Sequence, residues 1–142
     1  IPYNNYKLSD KSLKYDNMIN DAFLKSELTR FELHRVWVIE GTLKPGSEHI
    51  YSKRTMYVDE DSWYVALMDQ YDTKGELWRV KMLYLMQAYD APGLYTSGEV
   101  QHDLNARKSV FGALQNEEPA TEFNVSVRPG DFTPAALRKL MR

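Results

Sequence analysis

The stretch from residue 54 to residue 84, "RTMYVDEDSWYVALMDQYDTKGELWRVKMLY", decides the fold. Runs rich in Val, Met, Trp and Tyr are interrupted by two polar clusters, Asp59-Glu60-Asp61-Ser62 and Asp72-Thr73-Lys74-Gly75. Such runs between turn formers read as antiparallel strands joined by hairpins. Pairing Tyr71 with Glu76 sets Leu67 opposite Val80, Val65 opposite Met82 and Trp63 opposite Tyr84. Ala66 with Lys81 and Met68 with Arg79 then form the other face. One face is apolar and the other mixed, as a half-buried sheet requires. Setting Val58 opposite Trp63 across the acidic cluster adds Met56 and Val58 to the apolar face and places Arg54 opposite Leu67. Arg54 and Asp69 then break that face on a diagonal. Buried unpaired charge is costly, so the two either form a structural ion pair or make a polar anchor in an apolar groove. Glu40 lies either on the inner face near Arg54 or outside, opposite Lys53, depending on the loop after Leu43.

The pattern extends outward. Residues 31–43, 49–58, 63–71 and 76–89 form a four-strand meander within 31–90. Ala91-Pro92-Gly93 breaks the chain. Residues 95–103 and 108–114 form a further hairpin turning near Asn105, and 121–127 a last short strand, all within 91–127. Residues 1–30 read as an arm and linker: 1–15 extended or an edge strand, 17–29 a short helix or irregular. The closing "DFTPAALRKLMR" predicts a helix over 133–142. Thr133 caps it, Pro134 suits its first position, and Arg138, Lys139 and Arg142 favour its carboxyl end.

Two strands are apolar on both faces. In "RVWVIEGTL", residues 35–43, Val36 and Val38 point one way and Trp37 and Ile39 the other. Residues 83–86, Leu-Tyr-Leu-Met, behave alike. Such strands need cover on both sides. The closing helix is a single cover, so another chain, a further part of this one or an apolar ligand is expected to supply the rest.

Composition narrows the function. The chain has 142 residues, 43% hydrophobic and 27% charged, which suffices for one folded unit with a core. A net charge of -2 gives no bulk attraction for nucleic acid. The absence of cysteine excludes disulfides and thiol chemistry. Apolar runs are too short for a membrane span. Adjacent residues of an extended strand point in opposite directions, so at most two of Asp59, Glu60 and Asp61 could share an ion. The stretch reads as a solvated turn, not a metal site. His34, His49 and His102 lack ligand spacing. Ser47, Ser52 and Ser97 lack a nucleophile elbow, and no phosphate loop is present. The expectation is a non-enzyme with no metal, cofactor or catalytic residue.

A resemblance enters at "ELHRVWVIEGTLKPGSEHIYSKRTMYVDEDSW", residues 32–63. It continues through "DQYDTKGELWRV" and "LNARKSVFGALQNEE" to "DFTPAALRK", and "IPYNNYKL" at the start matches too. The chain resembles the carboxyl-terminal part of the domain-of-unknown-function family 1329, Gram-negative envelope proteins similar to the outer-membrane lipoprotein-sorting (LolA/LolB-like) proteins. It departs from the family pattern near 91–101 and 17–25. The resemblance implies a longer, exported parent in which Ile1 is internal, and a periplasmic location. It implies a mainly β, α+β fold: an antiparallel meander forming part of an open, curved half-barrel, lidded by helices and completed by an amino-terminal portion. Relatives of that fold carry lipid or lipoprotein acyl chains. A hydrophobic ligand is therefore expected against Trp63, Val65, Leu67, Val80, Met82 and Tyr84, with Arg54 and Asp69 as the polar spot. The expected partner is the amino-terminal portion of the parent or a second polypeptide. The alternative is an interaction module whose concavity is filled by side chains. An enzyme using Arg54 and Asp69 is the weakest reading, since no base or nucleophile is arranged beside them.

Overall fold

A computed structural model describes residues 1–141. Short elements come first: a 3-10 turn at Tyr6–Ser9, α1 (Tyr15–Met18), the two-residue strands β1 (Ile19–Asn20) and β2 (Phe23–Leu24), and a 3-10 turn at Ser26–Leu28. The sheet follows: β3 (Val36–Thr42), β4 (Lys53–Asp59), β5 (Val65–Tyr71), β6 (Leu77–Ala88), β7 (Gly93–Asp103) and β8 (Lys108–Gly112). A 3-10 turn at Pro129–Phe132 precedes α2 (Pro134–Leu140). The six strands pair in chain order and antiparallel, with β3 and β8 as the edges, so the sheet is open and not a closed barrel. The α+β architecture dominated by an antiparallel meander is the one the sequence implies.

The turns explain the order. Gly75 takes φ +83° in the β5–β6 loop, where a side chain would be strained. Asp72 Oδ1 accepts the amides of Lys74 and Glu76 at 2.8 and 2.9 Å and closes that loop. The β7–β8 hairpin turns through 104–107, with Arg107 at φ 51°. Residues 121–127 form no strand, contrary to expectation. Val125 and Val127 are exposed, so their apolar alternation does not mark a buried strand face.

Both predicted hairpin registers are displaced. In β5–β6, Tyr71 pairs with Leu77, then Trp78 forms a bulge, so Leu67 faces Met82 and Asp69 faces Val80. Two one-residue shifts cancel in parity, and Leu67, Asp69, Val80 and Met82 do share a face. In β4–β5, Val58 faces Val65, then Ala66 is an extra residue, so Tyr57 faces Leu67 and Thr55 faces Asp69. Here a single bulge changes the parity. Without it Arg54 would lie directly opposite Asp69; with it they occupy opposite faces. The predicted Arg54–Asp69 diagonal is therefore overturned, and Met56 moves with Arg54. Glu40 faces Thr55 and its carboxylate meets Lys53 Nζ at 3.2 Å, on the face away from Arg54.

The core sits between the front face, bearing Leu67 and Met82, and segment 1–30. Leu8 and Met18 are fully buried against Tyr84 and Val100, with Leu13, Leu24, Phe111 and Leu114 around them. Burying such side chains contributes roughly 1.5–3 kcal/mol each. Gly98 leaves the room this needs, since a Cβ there would lie 2.9 Å from Leu114 and 4.0 Å from Leu8. The segment is stitched down: Asn5 N–H donates to Leu85 O at 2.8 Å, Asn5 Oδ1 accepts from Arg30 N at 2.6 Å, and Tyr15 Oη donates to Leu114 O at 3.0 Å. The cover of the sheet is thus an irregular amino-terminal segment, not the expected helix. α2 forms as predicted, with Thr133 Oγ1 accepting from Ala136 N at 3.2 Å, but Leu137 and Leu140 are exposed instead of packing on the sheet. Arg142, placed in that helix by the sequence pattern, lies outside the described residues.

Candidate functional site

The candidate site is the part of the front face that segment 1–30 leaves open. Register brings Val38 and Tyr57, Tyr57 and Leu67, Leu67 and Met82, and Asp69 and Val80 into cross-strand pairs. The result is an apolar stripe across β3–β6. Val38 is exposed, and Tyr57, Leu67, Val80 and Met82 are half-buried. Polar groups border it on the same face: Glu40, Thr55 and Asp69 stand in the cross-strand row that ends at Val80, and Tyr57 Oη donates to Asp69 Oδ2 at 2.9 Å. That hydrogen bond, reinforced by burial, raises the Tyr57 pKa. Asp69 therefore has a phenol as its partner, not Arg54.

The remaining expected residues are distributed differently. Val65 flanks the stripe opposite Val58, beside the Ala66 bulge. Tyr84 is buried in the core, and burial raises its pKa. Trp63 precedes β5 with φ 62° and is 71% exposed, outside the sheet. Arg54 is on the back face, where its Nη2 lies 3.3 Å from His49 Nε2.

Sequence reasoning missed two further features. Asp59, read as part of a solvated turn, is fully buried. It accepts from Ser62 N at 3.0 Å, bonds Ser62 Oγ at 2.5 Å, and lies 2.8 Å from His34 Nδ1. Burial alone would raise its pKa, but the Ser62 and His34 hydrogen bonds outweigh it and the pKa is lowered. His34, Asp59 and Asp61 present potential ligand atoms within 4.8 Å of one another, but a cation would have to displace bonds that already satisfy Asp59. Only the fold makes His34 its neighbour, from 25 residues away. The second feature is a cavity of about 470 Å³ at the far end of β6–β7, walled by Met86, Tyr89, Tyr95 and Phe123. Tyr95 and Phe123 meet edge-on at 5.4 Å. Phe123 lies in the segment misread as a strand, which hid the cavity.

An open antiparallel sheet of this kind has a solved counterpart among proteins described as lipoprotein-sorting. The chain matches a candidate outer membrane lipoprotein-sorting protein domain from Vibrio parahaemolyticus with a TM-score of 0.50 at 18% identity, over 92% of this chain and 59% of that one. The likeness is one of fold. The family model "Protein of unknown function (DUF1329)" matches residues 1–138, and the chain belongs to that family. An uncharacterized protein of Pseudomonas aeruginosa is 45% identical over 140 residues, covering 98% of this chain and 31% of its own length. The chain thus spans about a third of that curated relative. A DUF1329 family protein from Desulfovibrio piger is 19% identical over 72% of this chain and 40% of its own, with a TM-score of 0.48. No helix among the described residues is long and apolar enough to cross a membrane.

Proposed function

We propose that the parent protein is a non-catalytic periplasmic protein that binds a lipid or lipid-like hydrophobic ligand on the front face of this sheet. The observation that carries the reading is the half-exposed stripe of Val38, Tyr57, Leu67, Val80 and Met82 on an unclosed sheet. Each 100 Å² of such surface removed from water contributes about 2.5 kcal/mol. Tyr57 and Asp69 supply the polar spot that orients the ligand, and Val65 borders it. The step from fold to carriage is an analogy, supported by the lipoprotein-sorting neighbour. The test is lipid extraction and native mass spectrometry on the intact parent, with uptake of a fluorescent fatty acid. Bound lipid, with uptake lowered by Leu67→Asp, is the expected result. A consistently empty protein that takes up no probe ends the proposal.

A second reading rests on β3. This edge strand exposes Trp37 and Ile39 on one face and Val38 on the other. An exposed apolar edge is a template for strand addition. Its occupant would be a preceding part of the parent or a second polypeptide. Hydrogen exchange of Val36–Thr42 in the intact parent tests this: strong protection supports it, and exchange as fast as in the isolated chain removes it.

A further inference from the structure

The back face holds a cavity of about 240 Å³ lined by Leu43, His49, Tyr51, Lys53, Arg54 and Met56. Its charges are unbalanced. Arg30, Arg35, Arg79 and Arg128 each reach a carboxylate; Arg54 reaches none among the described residues, like the exposed Arg107 and Arg138, but it is half-buried. Its buried Nε is unpaired, at the strand position opposite Gln70, whose Oε1 is also unpaired, while its Nη2 turns toward His49. Lys53, on the rim, already meets Glu40.

The hydrogen-bond pattern at His49 sharpens this. Its Nδ1 faces the Tyr51 backbone N–H at 2.9 Å, and its Nε2 faces Arg54 Nη2 at 3.3 Å. A neutral imidazole has one donor and one acceptor, yet both nitrogens face donors here. Nδ1 accepts the fixed backbone amide at the shorter distance, so the ring proton sits on Nε2. Nε2–H and the Arg54 guanidinium are then adjacent donors with no acceptor between them. One oxygen can accept from both at about 2.8–3.0 Å, and a charged oxygen does so best. The Tyr51 ring, 5.2 Å from the Arg54 guanidinium carbon, holds that group in place. Tyr51 is itself fixed, its hydroxyl accepting from Arg79 Nη1 at 2.9 Å.

We propose that Arg54 and His49 Nε2 form an oxyanion site that takes the charged oxygens of a phosphate or carboxylate group. The site lies on the face opposite Leu67 and Asp69 and does not rest on the hydrophobic-ligand reading. A free anion and a lipid headgroup share the chemistry it recognises.

The test uses the full-length parent, titrated calorimetrically with inorganic phosphate, acetate and dihexanoyl phosphatidic acid. Saturable binding of at least one, weakened about tenfold or more by Arg54→Met and little changed by Lys53→Met, is expected. Tighter phosphatidic acid than phosphate identifies a lipid headgroup, equal affinity a free phosphate, and preference for acetate a carboxylate. On the unaltered protein, the same ligands should slow diethyl pyrocarbonate modification of His49 while leaving exposed lysines unaffected. Three outcomes overturn the proposal: no binding of any probe up to about 10 mM, equal losses from Arg54→Met and Lys53→Met, or undiminished His49 modification at saturation.

Discussion

The two ends of one sheet are built from similarly apolar strands and meet opposite conditions. Across β6–β8, Tyr84 and Val100 are sealed beneath Leu8 and Met18. Across β3, Trp37, Val38 and Ile39 remain 54, 60 and 45% exposed. Strand composition does not separate them. Tethering does: Asn5 is bonded to Leu85, and Tyr15 to Leu114, so the amino-terminal segment is held over one end. The back faces contrast too. Behind β6–β7 lie ion pairs, Lys81 with Glu99 at 2.8 Å and Arg79 with Asp103 at 2.9 Å, suited to water. Behind β3–β5 lie Trp37, Ile39, Met56 and Met68. A strand's apolar pattern states that it needs cover; contacts distant in sequence decide whether this chain provides it.

The sharpest way to break this contrast is to truncate one residue at each end. Met18→Ala should destabilise the chain by about 2–5 kcal/mol in urea denaturation, because it leaves a cavity under the sheet. Val38→Ala should stay within about 0.5 kcal/mol. Equal costs would mean that the two ends are not differently covered. If Val38→Ala becomes costly only in the intact parent, the missing cover of β3 lies there.

Asp59→Ala comes next, at about 1–3 kcal/mol, since it strips partners from Ser62 and His34. Acid distinguishes the same regions. The folded Asp59 pKa lies below the ordinary 3.8, so its stabilisation is present above that value and fades as pH falls through the folded one. His102, beneath Phe23 in the covered end, has its pKa lowered from 6.5 by burial. Its neutral form is favoured in the fold, so stability declines once pH drops below 6.5 toward the folded value. Denaturation midpoints should therefore fall in two acid steps, the upper removed by His102→Phe and the lower by Asp59→Asn. A single step unaffected by either change would contradict this. A smaller cost than either truncation under the sheet or at Asp59 is that of Tyr57→Phe, about 0.5–1.5 kcal/mol from one hydrogen bond. It should alter ligand selectivity more than stability, measured by comparing fluorescent fatty acid with fluorescent fatty alcohol.

The hairpins show what was legible. Around Gly75, the loop and the Trp78 bulge each moved the register by one, and the grouping of Leu67, Asp69, Val80 and Met82 survived. At the acidic turn, Asp59 N–H bonds Tyr64 O and Trp63 takes a left-handed conformation, which shifts the pairing by two and leaves the faces intact. The Ala66 bulge then adds one more, and Arg54 leaves the face of Asp69. A period of two records only parity, and a bulge carries no side-chain signal strong enough to announce itself.

By itself, the sequence determined the antiparallel meander, the two-sided apolar character of β3 and the capped helix after Thr133. These follow from local periodicity and turn chemistry, which act over a few residues. Only the tertiary structure decided that Leu8 and Met18 cover one end of the sheet, that Asp59 is buried beside His34, and that Arg54 meets His49 instead of Asp69. Those outcomes depend on bulges and on contacts spanning tens of residues, where the free energy belongs to the assembled neighbourhood and not to any one segment.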